Sequence, residues 1–335
     1  MSDDYLFDKS GKSDKEIERL ERILSTQRYR RPEMRRIAPR KATRTVLVFA
    51  LAASFVLAAG VGSWALFRER RPAPVASVAS STPSAEPVSS LSFEVARIDG
   101  APRIGDKAFD ATARLGVGTW LETDPKSRAK ITVADIGHLE VEPGTRIRLV
   151  ETGTTQHRLD LDRGAIRAKV NAPPRLFVIG TASATAVDLG CAYSLRVDEK
   201  TGEGTLKVTS GWVSLETPTR VSMVPAGAMC TTRKGVGPGT PYFEDAAPAF
   251  VAALLRFDFE TGGKAELPAL CKLARKRDSL TLWHLLTRVE AADRPVIYAR
   301  LTEFTPLPPT LDKAKVLAAD RVTLDLWRKD LEAQW

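Results

Sequence analysis

The chain has 335 residues, 43% hydrophobic and 27% charged, with a formal net charge of +9. That balance suits a folded protein with one large domain or two, and it excludes a chain too polar to bury a core. A DNA-binding face is not the first inference from the positive excess, because eight Arg or Lys and a single acid, Glu33, crowd between Arg28 and Arg44, leaving the rest nearly balanced.

In chain order, residues 1–44 are too few for a core of their own. They carry one helix signal, predicted over 14–26: Ser13 and Glu16 form an S-x-x-E capping box, and Ile17, Leu20, Ile23 and Leu24 recur at helical spacing. A lone apolar stripe needs a cover, which is either a partner protein, with "DYLFD" as extra contact, or a membrane surface. The uncharged stretch Thr45–Phe67 follows, long enough to cross a bilayer's ~30 Å hydrocarbon core. We read it as a single transmembrane helix, with the basic flank cytoplasmic and the C-terminal part outside. Forty-four residues precede it, which disfavours a signal peptide. Ala58 and Gly62 are spaced for close helix approach and suggest a dimer face.

Residues 68–90, rich in Pro, Ala and Ser, predict an extended linker. From 91 to 243 the texture is short alternating runs such as "RAKITV", "RIRLVE", "HRLDLDRG", "AIRAKV" and "LKVTSG", each closed by turn residues. Even, short spacing predicts an all-β sandwich, jelly roll or β-roll. Within it, "AVDLGCAYSLRV" reads as a strand with a cysteine directly after a glycine. From 244 to 335 apolar spacings of three and four predict a helical region of about four helices, with Asp278 and Asp293 at helix starts.

Chemistry-bearing patterns are sparse. His138, His157 and His284 lie in separate segments, and no spacing of metal-ligand type joins them. No nucleophile elbow, Walker loop or dinucleotide fingerprint occurs, so neither a catalytic site nor a cofactor is expected. Asp160 and Asp162 share a strand face and read as solvated acids. For Cys191 two readings stay open: a bridge to Cys230, closing a loop of about 40 residues, or a buried thiol that packs as a small apolar group, Cys271 being left over either way.

The segments "SRAKITVADIGHLEVEPGTRIRLVE", "HRLDLDRGAIRAKV", "RLFVIGTASATAVDLGCAYSLRVDE" and "LKVTSGWVSLE" with "VPAG" after it, within Ser127–Gly227, resemble the FecR domain of bacterial membrane-bound signalling proteins. Leu189, Gly190 and Cys191 stand where most members carry Leu-Gly-Thr, and Tyr193 where an aromatic falls, so Cys191 takes a structural position. The helical extension is similar to that of a longer subgroup. The resemblance implies an anti-sigma type of regulator: a cytoplasmic helix holding a sigma factor through Ile17, Leu20, Ile23 and Leu24, one inner-membrane span, and a periplasmic β domain that senses a partner or envelope ligand. The competing expectation is an anchored envelope structural or carbohydrate-binding module with no cytoplasmic partner.

Overall fold

The structure is a computed structural model, and it describes residues 92–332. The helix at 14–26, the span at 45–67, the linker, and with them Ile17, Leu20, Ile23, Leu24, Ala58 and Gly62, lie outside the described residues. Among the described residues, no helix is long and apolar enough to cross a membrane.

Eighteen strands occupy Ser92 to Phe243. The first nine are β1 (Ser92–Asp99), β2 (Arg103–Ile104), β3 (Lys107–Ala108), β4 (Thr112–Gly116), β5 (Trp120–Glu122), β6 (Arg128–Val133), β7 (Gly137–Val141), β8 (Arg146–Thr152) and β9 (His157–Val170). There follow β10 (Phe177–Gly180), β11 (Thr185–Asp188), β12 (Cys191–Val197), β13 (Gly204–Ser210), β14 (Trp212–Glu216), β15 (Val221–Pro225), β16 (Ala228–Arg233), β17 (Gly237–Pro238) and β18 (Tyr242–Phe243). One sheet runs β4-β1-β6-β7-β9-β12-β13-β16, with β17 and β18 on the edge of β16. The other runs β3-β2-β5-β8-β9-β10-β11-β14-β15. All pairs are antiparallel except β9 with β10.

Strand β9 belongs to both sheets. "HRLDLDRG" and "AIRAKV", which alternation alone reads as two strands, are one strand of 14 residues. His157, Leu159 and Leu161 are buried in its first half, and Ile166, Ala168 and Val170 in its second, so the core-facing phase moves from odd to even numbers. Gly164 sits at the change with φ +89°, and a Cβ there would fall 2.4 Å from the Thr145 Cα. Only glycine combines that left-handed backbone with that close approach. The reverse holds for "AVDLGCAYSLRV", which is two strands: β11 ends at Asp188, Gly190 turns with φ +88°, and β12 starts in the other sheet at Cys191. The inner faces close on one apolar cluster that includes Val95, Ile131, Leu139, Ile147, Leu159, Ile166, Phe177 and Leu206.

Helices begin at Pro248: α1 (Pro248–Phe259), α2 (Leu267–Leu273), α3 (Ser279–Arg288), α4 (Arg294–Phe304), α5 (Lys313–Leu317) and α6 (Arg321–Glu332). Six described helices replace the four expected, because the 3-10 turn at Lys276–Asp278 and the break at residues 318–320 interrupt runs that read as continuous. Ala274 is extended and Pro295 stands in the first turn of α4, which also breaks continuity. Asp278 and Asp293 do precede α3 and α4, but neither side chain caps its helix. The helices enclose a second, separate cluster around Leu254, Leu270, Leu285, Ile297, Leu301 and Trp327.

Candidate functional site

Of the two readings open for Cys191 the bridge to Cys230 is absent, and all three cysteines are free and buried. Register explains why. Cys230 pairs with Leu206, which pairs with Leu195, so the two cysteines are two strands apart and four residues out of step. That separates them by roughly 16 Å, well beyond a disulfide's Cα reach. Cys191 Sγ instead donates to Asp188 Oδ2 at 2.8 Å, while the Gly190 amide donates to Asp188 Oδ1 at 2.7 Å. Burial, then the Asp188 contact, holds the Cys191 thiol far above its ordinary range, and burial pushes Cys230 up to about 12. Protonated thiols are poor nucleophiles, so Cys191 is a turn-stabilising group.

The histidines stay apart. His157 shares a 2.8 Å hydrogen bond with Thr152, and His284 Nε2 donates to the Met223 carbonyl at 3.3 Å. Asp160 and Asp162 pair with Arg148 at 3.0 Å and Arg146 at 3.3 Å on an outer sheet face. The Trp120 ring is stacked against the guanidinium groups of Arg146 and Arg148, at 4.1 and 4.8 Å from its centroid respectively.

The structure brings together residues that no motif marked, where the β14–β15 hairpin meets α3 and α6. Beneath this cleft Arg288, on α3, forms a 3.0 Å ion pair with Asp258 of α1, and the two side chains are 8% and 1% exposed. Arg288 also donates to Thr240 Oγ1 at 2.8 Å and to Ser222 Oγ at 2.7 Å. Asp258 accepts from the Thr240 amide at 2.6 Å and from Thr240 Oγ1 at 3.0 Å. Each charge is therefore met by several partners, as a desolvated pair must be. Thr281 Oγ1 donating to the Pro241 carbonyl at 2.8 Å completes the seam between strands and helices.

Above the seam the cleft has a volume of about 650 Å³, and Leu189, Met223, Trp283 and Leu324 line its apolar side. Its polar side holds five arginines, Arg175, Arg220, Arg288, Arg321 and Arg328, against the carboxylates Glu216 and Asp325. Arg175 is bound by Glu216 at 2.7 Å, and Arg328 by Glu332 and Asp325. His284 is buried beneath it, and desolvation followed by the charges of Arg288 and Arg328 holds its imidazole well below the ordinary histidine value. A site of this kind attracts negative charge. Among the described residues no cluster of His, Cys, Asp or Glu could hold a metal ion.

A family model described as FecR protein matches residues 119–214, from the turn before β5 into β14. The match ends short of Arg220 and of every helix. Two crystal structures of a candidate anti-sigma factor from Parabacteroides distasonis ATCC 8503, at 1.65 and 2.50 Å resolution, each share 18% identity with a TM-score of 0.34. Each likeness covers 41% of this chain and 64% of the other, so this chain spans just under two thirds of their length. No curated protein matches the chain.

Proposed function

With a FecR domain at residues 119–214, we propose that the chain is a FecR-type regulator of the anti-sigma kind, held in a bacterial inner membrane by Thr45–Phe67. The helix at 14–26 presents Ile17, Leu20, Ile23 and Leu24 to a cytoplasmic sigma factor, and the β sandwich stands in the periplasm as the sensing part. Sensing outside alters association of the span, through a face containing Ala58 and Gly62, or its exposure to proteolysis, and so frees the partner inside. The observation that carries this reading is the order of parts on one chain: apolar-striped segment, uncharged span, linker, FecR domain.

An anchored envelope or carbohydrate-binding module is the second reading. Sugar binding commonly needs an open aromatic platform, and the ring of Trp120 is already engaged by Arg146 and Arg148. Affinity capture of the tagged full chain from host membranes, beside Leu20→Asp, separates the two. Recovery of one sigma factor with the parent and its loss with Leu20→Asp is the expected result; equal recoveries would sink the anti-sigma reading.

A further inference from the structure

The β14–β15 turn fixes the backbone of Arg220 from three directions. Its amide donates to Thr217 Oγ1 at 3.0 Å, and its carbonyl accepts from the Thr217 amide at 2.8 Å and from Thr217 Oγ1 at 3.4 Å. The side chain carried by that backbone is not satisfied: Arg220 Nη1 is buried with no hydrogen-bond partner. The nearby carboxylate of Asp258 is turned to Arg288 and Thr240, which engage both of its oxygens, and makes no hydrogen bond to Arg220. Burial and the like charge of Arg288 both lower the pKa of Arg220, against a smaller opposing effect of Asp258. Among the described residues neither Arg220 nor Arg321, which opens α6 on the same cleft, has an ion-pair partner. A half-buried guanidinium with an unmet donor is costly unless an acceptor arrives from outside.

We infer that this cleft is a receptor site for a small organic oxyanion, a carboxylate or a phosphate ester, with Arg220 as the anchoring residue. The guanidinium fork supplies paired N–H donors of the geometry that such groups accept. Arg321 adds positive charge at the mouth. Trp283, Leu189, Met223 and Leu324 give the ligand's carbon skeleton an apolar wall, and about 650 Å³ suits a small molecule. The anion-binding proposal goes beyond the sigma-factor reading and does not need it, since binding is measured directly without any signalling output.

The test is calorimetric titration of the full chain in non-ionic detergent with benzoate, phenyl phosphate and the uncharged benzyl alcohol. Saturable binding of at least one anion and none of benzyl alcohol is expected, with added salt weakening it. Benzoate winning identifies a carboxylate site, and phenyl phosphate winning a phosphate site. Arg220→Gln should weaken binding about tenfold or more and also raise the melting temperature, because it removes an unmet charge. A residue with only a structural role would not show that opposition. Arg321→Ala, at an exposed position, should weaken binding about threefold with an unchanged melt. The proposal is overturned by no saturation below roughly 10 mM for either anion, by equal affinity in Arg220→Gln, or by an Arg220→Gln protein less stable than the parent.

Discussion

The β sandwich and the helical region solve the problem of staying together in different ways. In the sandwich, cohesion is distributed: every long strand is paired on both edges or buried by its neighbours, and one apolar cluster fills the space between the sheets. The helices have their own cluster, yet they are held to the strands by a short run of directional bonds centred on Arg288 and Asp258. Cation–π contacts of Arg277 with Phe243 and of Arg233 with Phe259 flank that run. Distributed packing degrades gradually under substitution, whereas a desolvated polar seam fails when one member is lost.

The seam should therefore break first. Arg288→Met leaves Asp258 buried without its cation and should cost about 3 to 5 kcal/mol. Hydrogen exchange should show α3 and α1 losing protection while β6, β7 and β9 keep theirs. Uniform loss across both regions would mean that the two cores are one cooperative unit.

Gly164→Val attacks the other side. Its Cβ would meet Thr145 on a backbone with φ +89°, and strain with displacement should cost about 3 kcal/mol. Urea unfolding followed by β-sheet circular dichroism measures this, and a change under 1 kcal/mol would remove the role given to that glycine.

The smallest effect separates the two regions by pH. His284 is neutral when folded because burial, then the charge of Arg288, holds its imidazole well below the ordinary histidine value of about 6.5. The unfolded chain takes up a proton as pH drops below that value and the folded one does not, so stability is full above about pH 6.5 and falls in more acid solution. The slope is at most about 1.4 kcal/mol per pH unit for one proton. His157 is lowered in the same direction by burial, within the sandwich. Denaturant melts between pH 7 and 5 should lose part of their acid sensitivity in His284→Gln, chiefly in the helices. An unchanged profile would assign the effect to His157.

The β class and the helical character of the C-terminal region were legible because alternation and three-four spacing are local. The sheet changes were not. "HRLDLDRG" followed by "AIRAKV" looks like two strands because the buried phase flips, and only the pairing of one half with β8 and the other with β7 makes it continuous. "AVDLGCAYSLRV" looks like one strand because Leu189 keeps the pattern apolar across the turn. Of the two readings of Cys191, the bridge to Cys230 fails for a related reason: sequence separation says nothing about being four residues out of register. The cleft was out of reach altogether, since Arg288 and Ser222 lie 66 positions apart and nothing in "TPTR" announces a guanidinium without a partner.

Strand β9 carries a consequence for folding fidelity. It pairs with β7 and β12 in one sheet and with β8 and β10 in the other. A slip of one residue in either sheet would drag the same chain through the second, turning His157, Leu159 and Leu161 outward and pulling Ile166 and Ala168 off the core together. Gly164 acts as a checkpoint against that error: its left-handed backbone fits at one place in the sequence, so both sheets are aligned once it is seated.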